Sequence, residues 1–290
     1  MDYDAITKQL LNDIPPWQGK PFYALAAGGP ASHKCFLSIL LEQQKCTGFI
    51  SINDELLAPF FPASTSSYPH NEKSAEHIKD YYTLVSHIVE EAKDRGISVI
   101  LEDHGDYPEI YKRHLKTVNQ ADYDTFLLMT TISPKNFDSK CEYLIKNAGM
   151  PDFREWGKAY HQRIAQKFEG LLDVFDKGML IETQPAYISP DNLSHAHSVM
   201  RFDHSRIDQP VEILDDERYK AFQTWKEHTN SADFRDYFKS ADEVVESGIP
   251  GGSFTEGIRG SRPSRNRADQ EGKSILERIV APNVESQYSR

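Results

Sequence analysis

The stretch PFYALAAGGPASHKCFLSILLEQQ (21–44) decides the fold. Its first part, up to Gly29, is a short apolar run that ends in a turn, the pattern of a buried strand. Its last part, HKCFLSILLEQQ (33–44), places Phe36, Ile39 and Leu40 at the spacing of one helix face. Between them run Gly28, Gly29, Pro30, Ala31, Ser32, His33, Lys34 and Cys35. Small residues let successive backbone N–H groups turn inward around a phosphate, and a lysine opening the helix can reach the outer phosphates. The template for such a loop is G-x-x-x-x-G-K-[ST]. Gly28 and Lys34 fit it. His33 stands at the second glycine position, and Cys35 replaces the hydroxyl residue that would ligate Mg2+.

Working outward, the chain alternates strand and helix. CTGFISIND (46–54) reads as a strand, and 74–96 as a helix with Ile78, Tyr81, Val85, Ile88 and Ala92 on one face, capped by Gly96. ISVILED (97–103) is a buried strand, 107–121 a helix, 123–133 a strand. Helices over 137–149 and 153–178 follow, the second carrying Ile164, Phe168, Leu171 and Phe175 along one stripe, and MLIET (179–183) reads as a fifth strand. This alternation predicts a three-layer α/β/α fold of P-loop NTPase type, with a mostly parallel five-stranded sheet covered by helices on both faces. The organisation expected is an N-terminal helical segment (1–19), a core (20–183), a hairpin and helical extension (184–247) and a flexible tail (248–290).

Composition narrows the function. The chain has 290 residues, 39% hydrophobic and 27% charged, enough apolar material for a sizeable core. Forty-four acids against thirty-three bases give a net charge of −11, which disfavours broad nucleic-acid binding but not a local basic pocket for an anionic ligand. No run of about 18 apolar residues and no basic-then-apolar leader is present, so neither a membrane span nor classical export is expected. Three cysteines, Cys35, Cys46 and Cys141, read as free thiols of a reducing, cytoplasmic compartment, with specialised secretion into another cell left open.

With this loop in this position, the chain resembles the zeta-toxin-like branch of the P-loop kinases. Three more segments carry the resemblance: Ile50-Ser51-Ile52-Asn53-Asp54-Glu55 after the second strand, Ile100-Leu101-Glu102-Asp103-His104-Gly105 ending the third, and Phe153-Arg154 opening the long helix before the strand at Met179-Leu180-Ile181. The resemblance covers roughly residues 20–183. It implies a phosphotransferase that uses ATP or GTP with Mg2+ and acts on a hydroxyl of a small nucleotide-containing acceptor, as a toxin or effector with an inhibitory or target protein as partner. It further implies that Lys34 holds the transferred group, that Asp54 accepts the acceptor's proton, and that Glu102, with Asp103 beside it, binds the acceptor. Arg154 would close over the phosphates. A second lid cation is not fixed by any motif, and Lys140 and Arg163 are its candidates.

Each assignment has a plainer alternative. Lys34 could be a surface lysine, Asp54 an N-cap, Glu102 and Asp103 solvated loop acids, and Arg154 an ordinary helix-face residue. Cys35 at a helix N-terminus, with His33 and His104 nearby, could be a nucleophile. His195-Ala196-His197 could present two imidazoles to a metal, although no further ligands are spaced to complete a site. Arg259, Arg262, Arg265 and Arg267 could touch an anionic partner. At the level of function, the alternative is a catalytically degenerate P-loop domain that binds a nucleotide or a partner protein without turnover.

Overall fold

In a computed structural model of the chain, seven strands and eight α-helices alternate through the described residues, 1–61, 75–148, 153–183, 196–206 and 208–227. The strands are β1 (Phe22–Gly28), β2 (Phe49–Ile52), β3 (Ser98–Asp103), β4 (Asp124–Thr131), β5 (Lys177–Thr183), β6 (Ala196–Asp203) and β7 (Val211–Ile213). The helices are α1 (Tyr3–Leu11), α2 (Phe36–Gln43), α3 (Asp54–Leu57), α4 (Ala75–Asp94), α5 (Pro108–Asn119), α6 (Pro134–Ala148), α7 (Phe153–Leu172) and α8 (Asp216–Gln223). All of them lie in the first of two units, Met1–Ile249. The expected tail at 248–290, the first half of the hairpin at 186–204 and the helical reading of 228–246 lie outside the described residues.

The sheet runs in the order β2-β3-β1-β4-β5-β6-β7. The first five are mutually parallel, as the alternation predicts, and β1 at the centre is buried along its whole length. The expected five strands become seven. β6 pairs antiparallel with β5, with an irregularity between Leu180 and Ile181, and β7 pairs antiparallel with β6. The partial alternation at 196–204 fits this arrangement, because a strand added to the sheet edge need bury only one face.

Successive side chains on a strand point to opposite faces, and β3 shows which helices lie where. Glu102 is hydrogen-bonded to Ser38 of α2, whereas its neighbour Asp103 is hydrogen-bonded to Tyr82 of α4 and Tyr111 of α5. One layer therefore carries α2 and the opposite layer α4 and α5. The larger core, on the second face, gathers Tyr23, Leu25, Val99, Leu101, Leu127 and Met129 of the sheet against apolar stripes of α4, α5 and α7. The helix expected from residue 33 begins at Phe36, because Ala31 (φ 63°) and His33 (φ 59°) are left-handed and cannot continue a right-handed helix. α7 likewise stops at Leu172 instead of 178, and Phe175 is still buried in the turn beyond it.

Candidate active site

The loop between β1 and α2 lies at the C-terminal edge of the parallel strands, where open α/β sheets bind their ligands. Its shape is set by close packing. A Cβ on Gly28 would collide with the Thr130 and Ser32 hydroxyls, and one on Gly29 would enter the ring of His161 from α7. Ser32 Oγ donates to the Gly29 carbonyl (2.7 Å) and lies 3.0 Å from Thr130 Oγ1, while Thr130 donates to the Ala27 carbonyl (3.1 Å). Thr183 Oγ1 at the end of β5 sits 3.2 Å from the Ser32 carbonyl and 3.1 Å from that of Thr131. His161 Nε2 is 2.9 Å from the Pro30 carbonyl. Gly29→Ala is therefore expected to lower stability by about 1–3 kcal/mol through overpacking. An unchanged urea midpoint would contradict that contact.

Lys34 turns toward the acids at the strand ends. Burial lowers its pKa, and the carboxylates of Asp103, Asp54, Glu102 and Asp106 oppose the shift. Its Nζ lies 3.2 Å from His104 Nδ1, an atom that is also 3.3 Å from the Gly28 carbonyl. An ammonium can only donate, so the lysine contact requires the His104 tautomer with its proton on Nε2. The Tyr160 ring backs His104 at 4.4 Å between centroids. Lys34 is thus no free surface lysine.

Asn53, rather than Asp54, caps α3: its side chain accepts from Leu56 N at 2.8 Å. Asp54 occupies the first helical position, where the helix dipole favours a carboxylate, and hydrogen-bonds Tyr81. Burial and that carboxylate together push the Tyr81 phenol well above its usual range. Glu102 Oε1 accepts from Ser38 Oγ (2.6 Å) and Ser51 Oγ (2.7 Å), which fixes its head over α2 and β2. Asp103 is only 8% exposed, and three donors surround it: Tyr82 OH and Tyr111 OH, each at 2.9 Å, and the His104 N–H at 2.6 Å. Its carboxylate anchors α4 and α5 to β3 and faces away from the Glu102 side.

The expected lid cations separate. Arg154, at the start of α7, makes long contacts to Asp138 (4.0 Å) and Glu142 (3.7 Å) of α6. Lys140, also on α6, is close enough to His33 to help lower the imidazole's pKa, which burial and this lysine bring to about 4. Arg163 is committed elsewhere: its Nε is 3.1 Å from the buried Asp106. Burial raises the Asp106 carboxyl to about 6 against the pull of Arg163.

The substituted loop positions can be weighed directly. His33 holds the left-handed backbone that glycine would adopt at no steric cost, which costs about 1 kcal/mol or more. Burial and Glu102 raise the Cys35 thiol above its usual range, a shift that favours the thiol over the nucleophilic thiolate. A thiol is also a poor ligand for Mg2+, and among the described residues no group of three or more metal-ligating side chains converges. The small-residue cradle and Lys34 fit phosphates; the side chains alone do not make a Mg2+ site. His197 is on β6, and its companion His195 lies outside the described residues.

Sequence reading placed His104 only as a neighbour of Cys35 and missed Asp106, His161 and the threonines at 130 and 183. His161 leaves a signal: it stands three and seven residues before Ile164 and Phe168 on the apolar stripe of α7, an imidazole on a buried face that needs a polar partner.

No family model matches the chain, and no curated protein matches it either. Among solved structures it is similar to one from the PezAT chromosomal toxin-antitoxin system of Streptococcus pneumoniae, with 16% identity, 84% of this chain and 94% of that chain covered, and a TM-score of 0.49. It is also similar to the AvrRxo1-ORF1:-ORF2 complex crystallised with ATP, with 10% identity, 84% and 82% covered, and a TM-score of 0.48. The native form of that complex gives 10% identity, 84% and 83% covered, and a TM-score of 0.49. Among the described residues no helix is long and apolar enough to cross a membrane.

Proposed function

We propose that this chain is a phosphotransferase of zeta-toxin-like type that uses ATP or GTP, carried with Mg2+, to phosphorylate a hydroxyl of a small nucleotide-containing acceptor. The observation that carries this reading is the convergence of Lys34, at the mouth of a small-residue loop, with Asp54 and Glu102 from two neighbouring strand ends. A phosphate cradle, a cation and two acids at one sheet edge are the parts that phosphoryl transfer needs.

When bound, the nucleotide would supply the phosphoryl group, and Mg2+ accompanying it would offset phosphate charge. The backbone N–H groups of Gly29 and Ala31 hold the phosphates, since Pro30 has none and that of Ser32 is bonded to the Gly29 carbonyl, and Lys34 leaves His104 to neutralise charge on the group in transit. Asp54, oriented by Tyr81, takes the proton of the acceptor hydroxyl as its oxygen bonds to phosphorus and the bond to the leaving diphosphate breaks. Glu102, fixed by Ser38 and Ser51, holds the acceptor. Asp103 supports this edge from behind. The lid cation falls to Lys140 or to Arg154, whose long contacts to α6 are readily exchanged; Arg163 serves Asp106. A role as toxin or effector with an inhibitory protein partner belongs to the same proposal.

A second reading, nucleotide or partner binding without turnover, draws on the strained His33 and on Lys34 held by His104. Calorimetric titration of the purified chain with Mg-ATP and Mg-GTP, alongside transfer of labelled γ-phosphate to nucleotide sugars and dinucleotides, separates the two. Heat with a labelled product is expected. Heat without product would select the second reading, and no heat at millimolar nucleotide would sink both nucleotide readings.

A further inference from the structure

The extension after the core places one side chain directly behind the phosphate loop. α8 is capped by Asp215, which accepts from Arg218 N at 3.0 Å, and Arg218 Nε reaches Glu182 at the end of β5 at 3.0 Å. The 3₁₀ turn that follows, Thr224–Glu227, inserts Trp225, which is fully buried. Its Nε1–H donates to the Ile132 carbonyl just past β4 at 2.8 Å. Its ring stacks on His161, with centroids 4.7 Å apart and planes at 17°, and Phe137 meets both rings edge-on. His161, 3% exposed, is in turn bonded to the Pro30 carbonyl and packed beneath Gly29.

The chemistry of these contacts has a direction. Burial brings the His161 pKa down to about 4, so the ring is neutral at pH 7, and a carbonyl can only accept. The proton is therefore on Nε2, and the imidazole pulls the Pro30 C=O toward α7. In a planar trans peptide the C=O and the following N–H point in opposite senses. Holding the Pro30 carbonyl on the His161 side turns the Ala31 N–H, at the left-handed residue of the loop, toward the opposite side.

We propose that His161 and Trp225 are positioning residues for the phosphate loop: Trp225 clamps His161, and His161 orients the Pro30–Ala31 peptide for anion binding. The extension is then part of the nucleotide site without touching the nucleotide. This inference rests on the nucleotide-binding reading of the loop given above.

Two readouts test it, one of which needs no nucleotide. In the ligand-free full chain, amide exchange of residues 31–34 is expected to rise about tenfold or more in His161→Phe, which fills the space without donating, and in Trp225→Phe, which loses the bond to Ile132. Exchange in β4 should stay as in wild type. Affinity for Mg-ATP is expected to fall about tenfold in His161→Phe, the loss of one orienting hydrogen bond. His161→Gln, whose amide can still donate to Pro30, should recover most of it, and melting temperatures should stay within a few degrees. Loop exchange unchanged in both phenylalanine variants overturns the brace. Faster loop exchange, with no nucleotide bound even by wild type, would leave the brace and remove the proposed function. A His161→Gln variant as weak as His161→Phe would also overturn it, because packing alone would then explain the loss.

Discussion

Lys34→Ala is expected to lower phosphoryl transfer by about 10³-fold and to abolish measurable heat with Mg-ATP. Lys34 lies within the field of four carboxylates, Asp103, Asp54, Glu102 and Asp106, and burial makes a substitute charge from solvent a poor replacement. Removing one preorganised donor from a transition state costs about 10²–10³-fold, and a charged donor in a shielded site belongs at the upper end. Lys34→Arg should not restore activity, since a planar fork does not reproduce a compact ammonium among packed loop residues. Asp54→Asn provides the contrast. The amide keeps its place beside Tyr81 but cannot take a proton, so nucleotide affinity should persist while turnover falls about 10²–10⁴-fold. Calorimetry and a transfer assay on the same preparations read both. Lys34→Ala protein that binds Mg-ATP like wild type would remove Lys34 from the site.

Acid is expected to destabilise the fold by at least about 2 kcal/mol between pH 6.5 and 5, before carboxylates of ordinary pKa are protonated. Two fully buried histidines carry most of it, and His33, lowered to about 4 but less buried, adds in the same direction. His114, 2% exposed, hydrogen-bonds Tyr23 OH at 2.9 Å, has Ser86 Oγ 3.2 Å from its other nitrogen, and is lowered to about 3 by burial and the neighbouring Arg113. His161 is lowered to about 4, chiefly by burial. A histidine held neutral in the fold binds fewer protons than in the unfolded chain, so stability falls as pH drops below the unfolded value of 6.5. At about 1.36 kcal/mol per unit, each costs about 1.5 kcal/mol between pH 6.5 and 5. Asp106 works against them: its folded pKa of about 6 lies above the ordinary 3.8, so the fold gains about 1 kcal/mol as that carboxyl takes up its proton. Urea unfolding at pH 7.5, 6.5, 5.5 and 5.0 measures the slope, and His114→Gln should flatten it. A free energy of unfolding constant over this range would refute the neutral burial of both rings.

The parallel half of the fold was legible because buried parallel strands are continuous apolar runs and α4 and α7 carry long one-sided stripes. The edge strands β6 and β7 were less so, since an edge strand needs little apolar material and β7 exposes Val211 and Ile213. Within the site, loop residues and strand-end acids announce themselves by adjacency in sequence to Lys34 or to a strand terminus. His161 and Trp225 meet the loop from 131 residues beyond Pro30 and further, and only the tertiary packing joins them. Glu102 and Asp103 illustrate the limit most closely. Both are acids at one strand end, and which of them faces the loop depends on strand register.

That pair has a consequence for variation. Adjacent positions on β3 answer to different pressures: Asp103 ties three elements together through Tyr82 and Tyr111, while Glu102 is held by the Ser38 and Ser51 hydroxyls at the mouth of the site. In a library scored separately for soluble yield and for activity, changes at 103 should vanish from both scores, and changes at 102 from the second alone. A chain evolving toward a new acceptor can therefore alter residue 102 at little risk to its folding, one step along the backbone from a residue it cannot afford to touch.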